Sequence, residues 1–284
     1  MLLHIIADYG QGDLAFAEVI QRLQKSLPGV QPVLTNVPPF ATLAAGFCIA
    51  QLALNEPAEG MIIYHNVAPR GDDTQPDDAG TGAGTGERLA FARLPNGVRV
   101  VGVHSGHSLS FIRDTAEELR WVNMDESKSQ FRSRDVFPKA VAAIASGNRE
   151  PLGDEIARSE IPPIPQNCVA YVDGYGNLKT TIPLEQSVTA GTTISQSHFN
   201  DVPGHTISVR IGQVKKTVVT GDASFDVKPG QMILAPGSSG WTVPKGNGIQ
   251  YHIRWMELFF RSGNAWEEFG RPPIGASIEI TEDL

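Results

Sequence analysis

Residues 161 to 165, Ile161-Pro162-Pro163-Ile164-Pro165, split the chain into two stretches with different hydrophobic periods. The prolines fix φ and withhold backbone donors, so neither a helix nor a central strand passes through them. Before this connector, short apolar runs alternate with stretches at helical spacing. The pattern predicts a strand at His4–Ala7 and a helix over Leu14–Leu27 capped by Asp13, with Phe16, Val19, Ile20 and Leu23 on one face. It continues with a strand at Gln31–Asn36, a helix at Ala41–Leu54, strands at Met61–Tyr64 and Val98–Val103, and a helix at Phe137–Ser146. Strands separated by helices predict βαβ units and a mainly parallel sheet, with ligands beyond the carboxyl ends of the strands. Asp8–Asp13, His65–Arg70 and His104–Ser110 follow strands in that way. After Pro165 the pattern changes to short strands at Cys168–Val172, Leu178–Ile182, Thr206–Ile211, Lys215–Val219, Gln231–Leu234, Ile253–Phe260 and Ala276–Ile280. Turns at Pro203-Gly204, Pro229-Gly230 and Gly246-Asn247-Gly248 separate them, predicting a small antiparallel barrel or sandwich. The fold class is therefore α/β, with an N-terminal α/β domain over residues 1–160 and an all-β domain over 166–284.

A chain of 284 residues with 41% hydrophobic and 19% charged residues can bury a full core in each half. Its net charge of −8, with no basic run, argues against a nucleic-acid partner. No apolar run approaches the ~20 residues of a membrane span, and Met1–Asp8 reads as a first strand rather than a signal peptide. Cys48 and Cys168 sit in apolar contexts and read as buried free thiols, the pattern of a cytoplasmic protein. Neither CxxC nor HExxH occurs, so no metal site is expected. The glycine-rich stretch Gly71–Glu87 lacks the GKS/T ending and the GxGxxG spacing of a phosphate cradle, and reads as a surface loop.

Five segments carry chemistry. In Val172–Ile182, Asp173 can accept from a ribose diol, Tyr175 can stack on a base and Asn177 can read a base edge; read locally, the same residues make a hairpin turn with a tyrosine plug. Asp8 ends the first strand, where it can hold a hydroxyl or stand beside the capping Asp13. His65, His104 and His107 follow two further strands and can serve as bases, but no carboxylate completes a ligand set. Arg132, Ser133 and Arg134 precede a helix and can hold an anion, or Asp135 caps that helix while Arg134 makes a surface salt bridge. No serine falls in a G-x-S-x-G elbow.

In order and spacing these pieces resemble the S-adenosylmethionine hydroxide adenosyltransferases, a family that includes the fluorinases and chlorinases. Ala7-Asp8-Tyr9-Gly10 with Asp13 is similar to the family's T/S-D-F/L-G-x-x-D, and Phe131–Phe137 to its T-F-x-G/S-R-D/E. Val172–Thr181 resembles I-D-x-F-G-N-x-x-T-N, and Leu258–Ala265 resembles the terminal I-A-x-N-x-G-x-A; Gly102–Ser110 stands where the family has P-D/N-N-G-L-L. The resemblance implies an α/β domain followed by an antiparallel β-barrel, a homotrimer with its active site between subunits, and displacement of methionine from the 5′-carbon of S-adenosylmethionine. Asp8 and Asp173 would hold the ribose or methionine end, Tyr175 would stack near adenine, Asn177 would bond its edge, and Asn264 with Ala265 would close the base pocket. Ser133, with Arg132 and His65, would surround the nucleophile. The family's catalytic aspartate, expected near Tyr64–Arg70, is missing, with His65 the nearest match, and the hydrolases' histidine is Arg132 here. The expected activity is hydrolysis to adenosine and L-methionine with no cofactor beyond the substrate. A non-catalytic adenosyl-binding protein and a halogenase stand as alternatives.

Overall fold

The chain divides into two units, Met1–Pro163 and Ile164–Leu284, in a computed structural model that describes residues 1–68, 88–124, 129–189, 192–197, 203–244 and 250–282. The expected loop at Gly71–Glu87 and the turn at Gly246–Gly248 lie outside the described residues.

In the first unit the elements run β1 (Leu2–Ala7), α1 (Leu14–Ser26), β2 (Gln31–Asn36), α2 (Thr42–Leu54), β3 (Ile62–Asn66), β4 (Leu89–Arg93), β5 (Arg99–Val103), β6 (Glu118–Val122), α3 (Arg132–Asp135), α4 (Phe137–Ala145) and β7 (Leu152–Glu155). They form one sheet in the order β2-β1-β3-β5-β4-β6-β7. The ladders among β2, β1, β3 and β5 are parallel, whereas β4, β6 and β7 join antiparallel. The sheet is thus mixed rather than mainly parallel. The reason is local: Pro95-Asn96-Gly97 makes a tight turn, closed by Leu94 N–H to Val98 O at 2.9 Å, which reverses the chain between β4 and β5. Asp13 caps α1, its Oδ1 accepting from the Ala15 amide at 2.7 Å.

Strand alternation assigns each residue to a layer. Leu3, Ile5, Ile62, Tyr64, Val101 and Val103 form one buried face with Phe16, Val19 and Leu23 of α1 and Phe137, Val141 and Ile144 of α4. The opposite face lies under α2, which packs on β1 and β3. That helix is buried almost all round, from Leu43 to Ala50, because the segment after β5 covers its outer side. Phe47 and Phe111 meet edge to face at 5.7 Å, and a Cβ at Gly46 would lie 2.4 Å from the His107 carbonyl oxygen. Both cysteines are buried and neither is in a disulfide.

The second unit holds β8 (Val169–Val172), β9 (Leu178–Thr189), β10 (Thr192–Ser197), β11 (Thr206–Ile211), β12 (Val214–Thr220), β13 (Met232–Pro244), β14 (Gln250–Phe260), α5 (Ala265–Glu268) and β15 (Ile278–Glu282). The sheet order is β10-β9-β14-β13-β12-β11-β15, with β8 also on β9. The Val169 amide donates to the Ala276 carbonyl, the Gly275 amide to the Val169 carbonyl and the Ile278 amide to the Asn167 carbonyl; these bonds tie the start of β8 to the approach to β15, so the sheet curls around its core. The all-antiparallel expectation fails at one ladder: β12 and β13 are parallel. The long connection between Thr220 and Met232 carries the chain back before β13 begins, which a two-residue hairpin cannot do. The core combines Val169, Leu178, Ile182, Val209, Val218, Leu234, Leu258 and Phe269. Among the described residues no helix is long and apolar enough to cross a membrane.

Gly46→Ala tests the packing of α2. The new methyl gains about 1 kcal/mol of helix propensity, but it meets a backbone carbonyl that cannot swing aside, at a distance real Cβ atoms do not show. The expected result is a net loss of ~1–3 kcal/mol in urea unfolding; an unchanged or raised midpoint would remove the close approach.

Candidate functional site

The carboxyl ends of β1, β3 and β5 point the same way because their ladders are parallel. Between β1 and β3 the chain order reverses: β2 lies on one side of β1 and β3 on the other, the crevice where open α/β sheets take ligands. Asp8 leaves β1 here, and its Oδ2 accepts from the Phe40 amide at 2.8 Å. Asn36 Oδ1 accepts from the Gly10 amide at 3.0 Å, pinning the same loop to the end of β2.

Tyr9 turns inward beside Asp8. Its ring stands edge-on to Phe16 and Phe131, at 5.0 and 5.9 Å. Its hydroxyl is buried next to the side chains of Ser133, Tyr64 and Asn66, near enough for each to perturb its ionisation, yet no group among the described residues meets it at hydrogen-bond geometry. Burial, helped by the charge of Asp8, raises this phenol well above its usual pKa and keeps it a neutral donor. The Tyr64 hydroxyl donates to the Ser133 backbone oxygen at 2.9 Å, and Ser133 is itself buried. Asp8, Tyr9, Tyr64, Asn66 and Ser133 therefore assemble into one cluster. Neither Tyr9 nor Asn66 stands out as a site residue in the sequence; for Tyr9, an aromatic hydroxyl where the family pattern has Phe or Leu is the available signal.

The arginines beside Ser133 do different work. Arg134 pairs with Asp135 at 2.8 Å and Glu18 at 3.0 Å, which neutralises the charge an anion would need. The expected salt bridge is present, but Asp135 pairs with Arg134 and Ser129 instead of capping a helix. Arg132 lies over the Phe137 ring at 5.2 Å.

His65 is not brought to this cluster. It follows Tyr64 on β3 and so faces the opposite, α2-covered side, where it is 0% exposed. Its ring lies across β5, in space that exists only because residue 102 is glycine: a Cβ there would lie 1.9 Å from His65 Cδ2. Among the described residues neither ring nitrogen has a hydrogen-bond partner. Burial first, and the neighbouring His104 second, push its pKa down to about 3. His104 leans on Trp121 at 5.0 Å, and Arg88 stacks over the same indole at 3.7 Å. His107 Nδ1 contacts Ser110 Oγ at 3.2 Å, and that hydroxyl donates to the Pro162 carbonyl at 2.7 Å. Among the described residues no group of three or more His, Cys, Asp or Glu is placed to hold a metal.

In the second unit the turn after β8 closes on itself. Asp173 Oδ1 accepts from the Tyr175 and Asn177 amides at 2.9 and 3.0 Å, and Oδ2 accepts from Asn177 Nδ2 at 2.9 Å. Tyr175 is 82% exposed and is no plug. Gly176 has φ +79 and packs on Asn264, where a Cβ would lie 2.0 Å from Oδ1. The Trp266 amide donates to the Gly176 carbonyl at 2.9 Å. Asn264 caps α5, accepting from the Glu267 amide at 2.9 Å, and Ala265 is fully buried. Asp173, Asn177, Asn264 and Ala265 thus converge, with Tyr175 projecting beside them. Behind the turn, Lys179 Nζ lies 2.7 Å from Glu257 Oε1 and 4.0 Å from Asp173 Oδ2. Sequence reasoning missed this pair, although Glu257 between Met256 and Leu258 in an apolar strand is a visible anomaly.

The depressed pKa of His65 fixes a pH dependence. The unfolded imidazole protonates near its ordinary value of 6.5, the buried one only near 3. Its contribution is therefore complete above about 6.5 and is lost as pH falls towards 3, because the unfolded state binds the proton first. Stability by urea unfolding should fall from about pH 7 to about pH 4, and His65→Leu should remove roughly 3 kcal/mol of that fall. Identical slopes in both proteins would show the ring is not enclosed.

No protein-family model and no curated protein matches the chain. Among solved structures, it is similar to an uncharacterized conserved protein from Thermotoga maritima, with a TM-score of 0.71 and 19% identity over 98% of this chain and 100% of that one. It is also similar to a conserved hypothetical protein from Thermus thermophilus, with a TM-score of 0.64 and 20% identity over 98% of this chain and 99% of the other. At such identities the likeness establishes a shared fold along the length of both chains and nothing more specific.

Proposed function

We propose that the chain binds an adenosyl compound and catalyses displacement at the 5′-carbon of S-adenosylmethionine by water, giving adenosine and L-methionine. One observation carries the reading. Segments that resemble the S-adenosylmethionine hydroxide adenosyltransferases lie far apart in sequence yet meet in pairs: the Asp173–Asn177 turn docks on Asn264–Trp266, and Tyr9 packs beside Ser133. On this reading the curled sheet is the family's β-barrel and the molecule is a homotrimer.

Asp173, braced in its turn, presents acceptor capacity to the ribose diol; Tyr175 offers a flat ring to the base, and Asn177 with Asn264 and Ala265 borders the base edge. Asp8 accepts from a second sugar or methionine group. The water oxygen forms a bond to C5′ as the C5′–S bond breaks; the bonding pair goes to sulfur, giving the neutral thioether of methionine, and the protonated hydroxyl formed at C5′ loses its extra proton to solvent. A sulfonium needs no acid to depart, so alignment and water exclusion supply the acceleration. Ser133, Tyr9 and Asn66 supply the hydrogen bonds that hold the nucleophile, while His65, enclosed on the other face, takes no part.

That enclosure favours a second reading, a non-catalytic adenosyl binder, because it removes the nearest substitute for the family's missing base. Incubation with S-adenosylmethionine, with and without chloride, followed by chromatography separates the outcomes: adenosine supports hydrolysis, 5′-chloroadenosine a halogenase, and binding without turnover the binder. Calorimetry that detects neither adenosine nor S-adenosylmethionine would overturn the adenosyl reading. In the same measurement Asn177→Ala should weaken binding by ~1–3 kcal/mol, through the lost base contact and the loosened Asp173.

A further inference from the structure

Glu257 is 1% exposed and Lys179 is 9% exposed, and the two form an ion pair in the interior of the second unit. The arrangement is built rather than incidental. Gly237 leaves the space for the carboxylate, since a Cβ there would lie 1.9 Å from Glu257 Oε1. The Ser239 amide donates to the same oxygen at 3.4 Å, within an interruption of the β13–β14 register between Pro236 and Gly240. Arg254 holds that irregular segment by donating to the carbonyls of Pro236 and Gly237. Buried ion pairs are weak stabilisers, because desolvation offsets their attraction, and apolar residues of similar volume commonly replace them without loss. Stability alone therefore does not account for this pair.

What the pair does is hold an ammonium group 4.0 Å from Asp173 Oδ2, the oxygen that also accepts from Asn177 Nδ2. We propose that Lys179, fixed by Glu257, is a positioning residue for the Asp173–Asn177 turn: it sets the carboxylate's orientation from behind and so presets the turn for its ligand. The inference rests on the adenosyl reading for the ligand's identity, though not for the effect on the turn.

The test compares Lys179→Met, Lys179→Arg and the double variant Lys179→Met/Glu257→Leu by thermal unfolding, by calorimetry with adenosine and with S-adenosylmethionine, and by hydrogen exchange at the Tyr175 and Asn177 amides. Lys179→Met leaves Glu257 buried without its partner and should lower both stability and affinity. The double variant should recover the melting temperature, yet bind about tenfold more weakly than the parent protein and exchange those two amides at least about tenfold faster. Lys179→Arg should retain affinity within about threefold. Parent-like affinity and exchange in the double variant would overturn the proposal. If the parent protein binds neither compound, the adenosyl reading falls and exchange alone decides: faster exchange in the double variant supports positioning, unchanged exchange refutes it.

Discussion

Tyr64, His65 and Asn66 leave one strand in succession, and a strand covered on both faces sends neighbours to opposite layers. The placement of polar side chains in the first unit depends on this alternation. Tyr64 and Asn66 join Tyr9 and Ser133 on the side of α1 and α4, where the carboxyl ends of β1 and β3 open a crevice. His65 is committed to the α2 side, where burial keeps it neutral and Gly102 gives it room. No rotamer change carries it across, because the sheet itself stands between. An imidazole with both nitrogens unpartnered lowers stability, at roughly 1–3 kcal/mol for an unsatisfied buried polar group, and packing elsewhere offsets that.

The second unit solves a different problem, that of making a short loop rigid. Asp173 gathers three N–H groups from its own turn, and Gly176 brings the backbone against Asn264 closely enough to exclude any side chain. The exposed ring of Tyr175 is thereby carried on a fixed base. A ligand that covers the ring meets a backbone that is already ordered, so less of its contact energy is offset by ordering the loop.

Much of this was legible in the sequence, because some residues report their own environment. Asp13 before an amphipathic run marks the start of α1, and the apolar runs before Asp8 and His104 mark strands whose ends lie together. Other features have no local signature. β4, β6 and β7 were not anticipated, since Leu119-Arg120-Trp121-Val122 mixes apolar and charged residues without a strict period. The parallel pairing of β12 with β13 is a matter of chain direction, to which side-chain periodicity is blind. His65 turned on two residues: ending the strand at Tyr64 leaves it in a loop free to reach Ser133, whereas continuing to Asn66 sends it through the sheet. Lys179 and Glu257 are paired only by tertiary structure, and the helpful anomaly was a charge amid apolar neighbours.

The tie between β8 and the approach to β15 also has a consequence in time. The amide and carbonyl of Val169 bond to Ala276 and Gly275, about a hundred residues further along the chain. Sequence-distant closure of this kind makes folding slow, because loop entropy is lost before the contacts form. Synthesis from the N-terminus therefore delivers every strand of the first unit before the segment that closes the curled sheet. Through that interval β8 keeps one edge unpaired and able to template pairing with another chain.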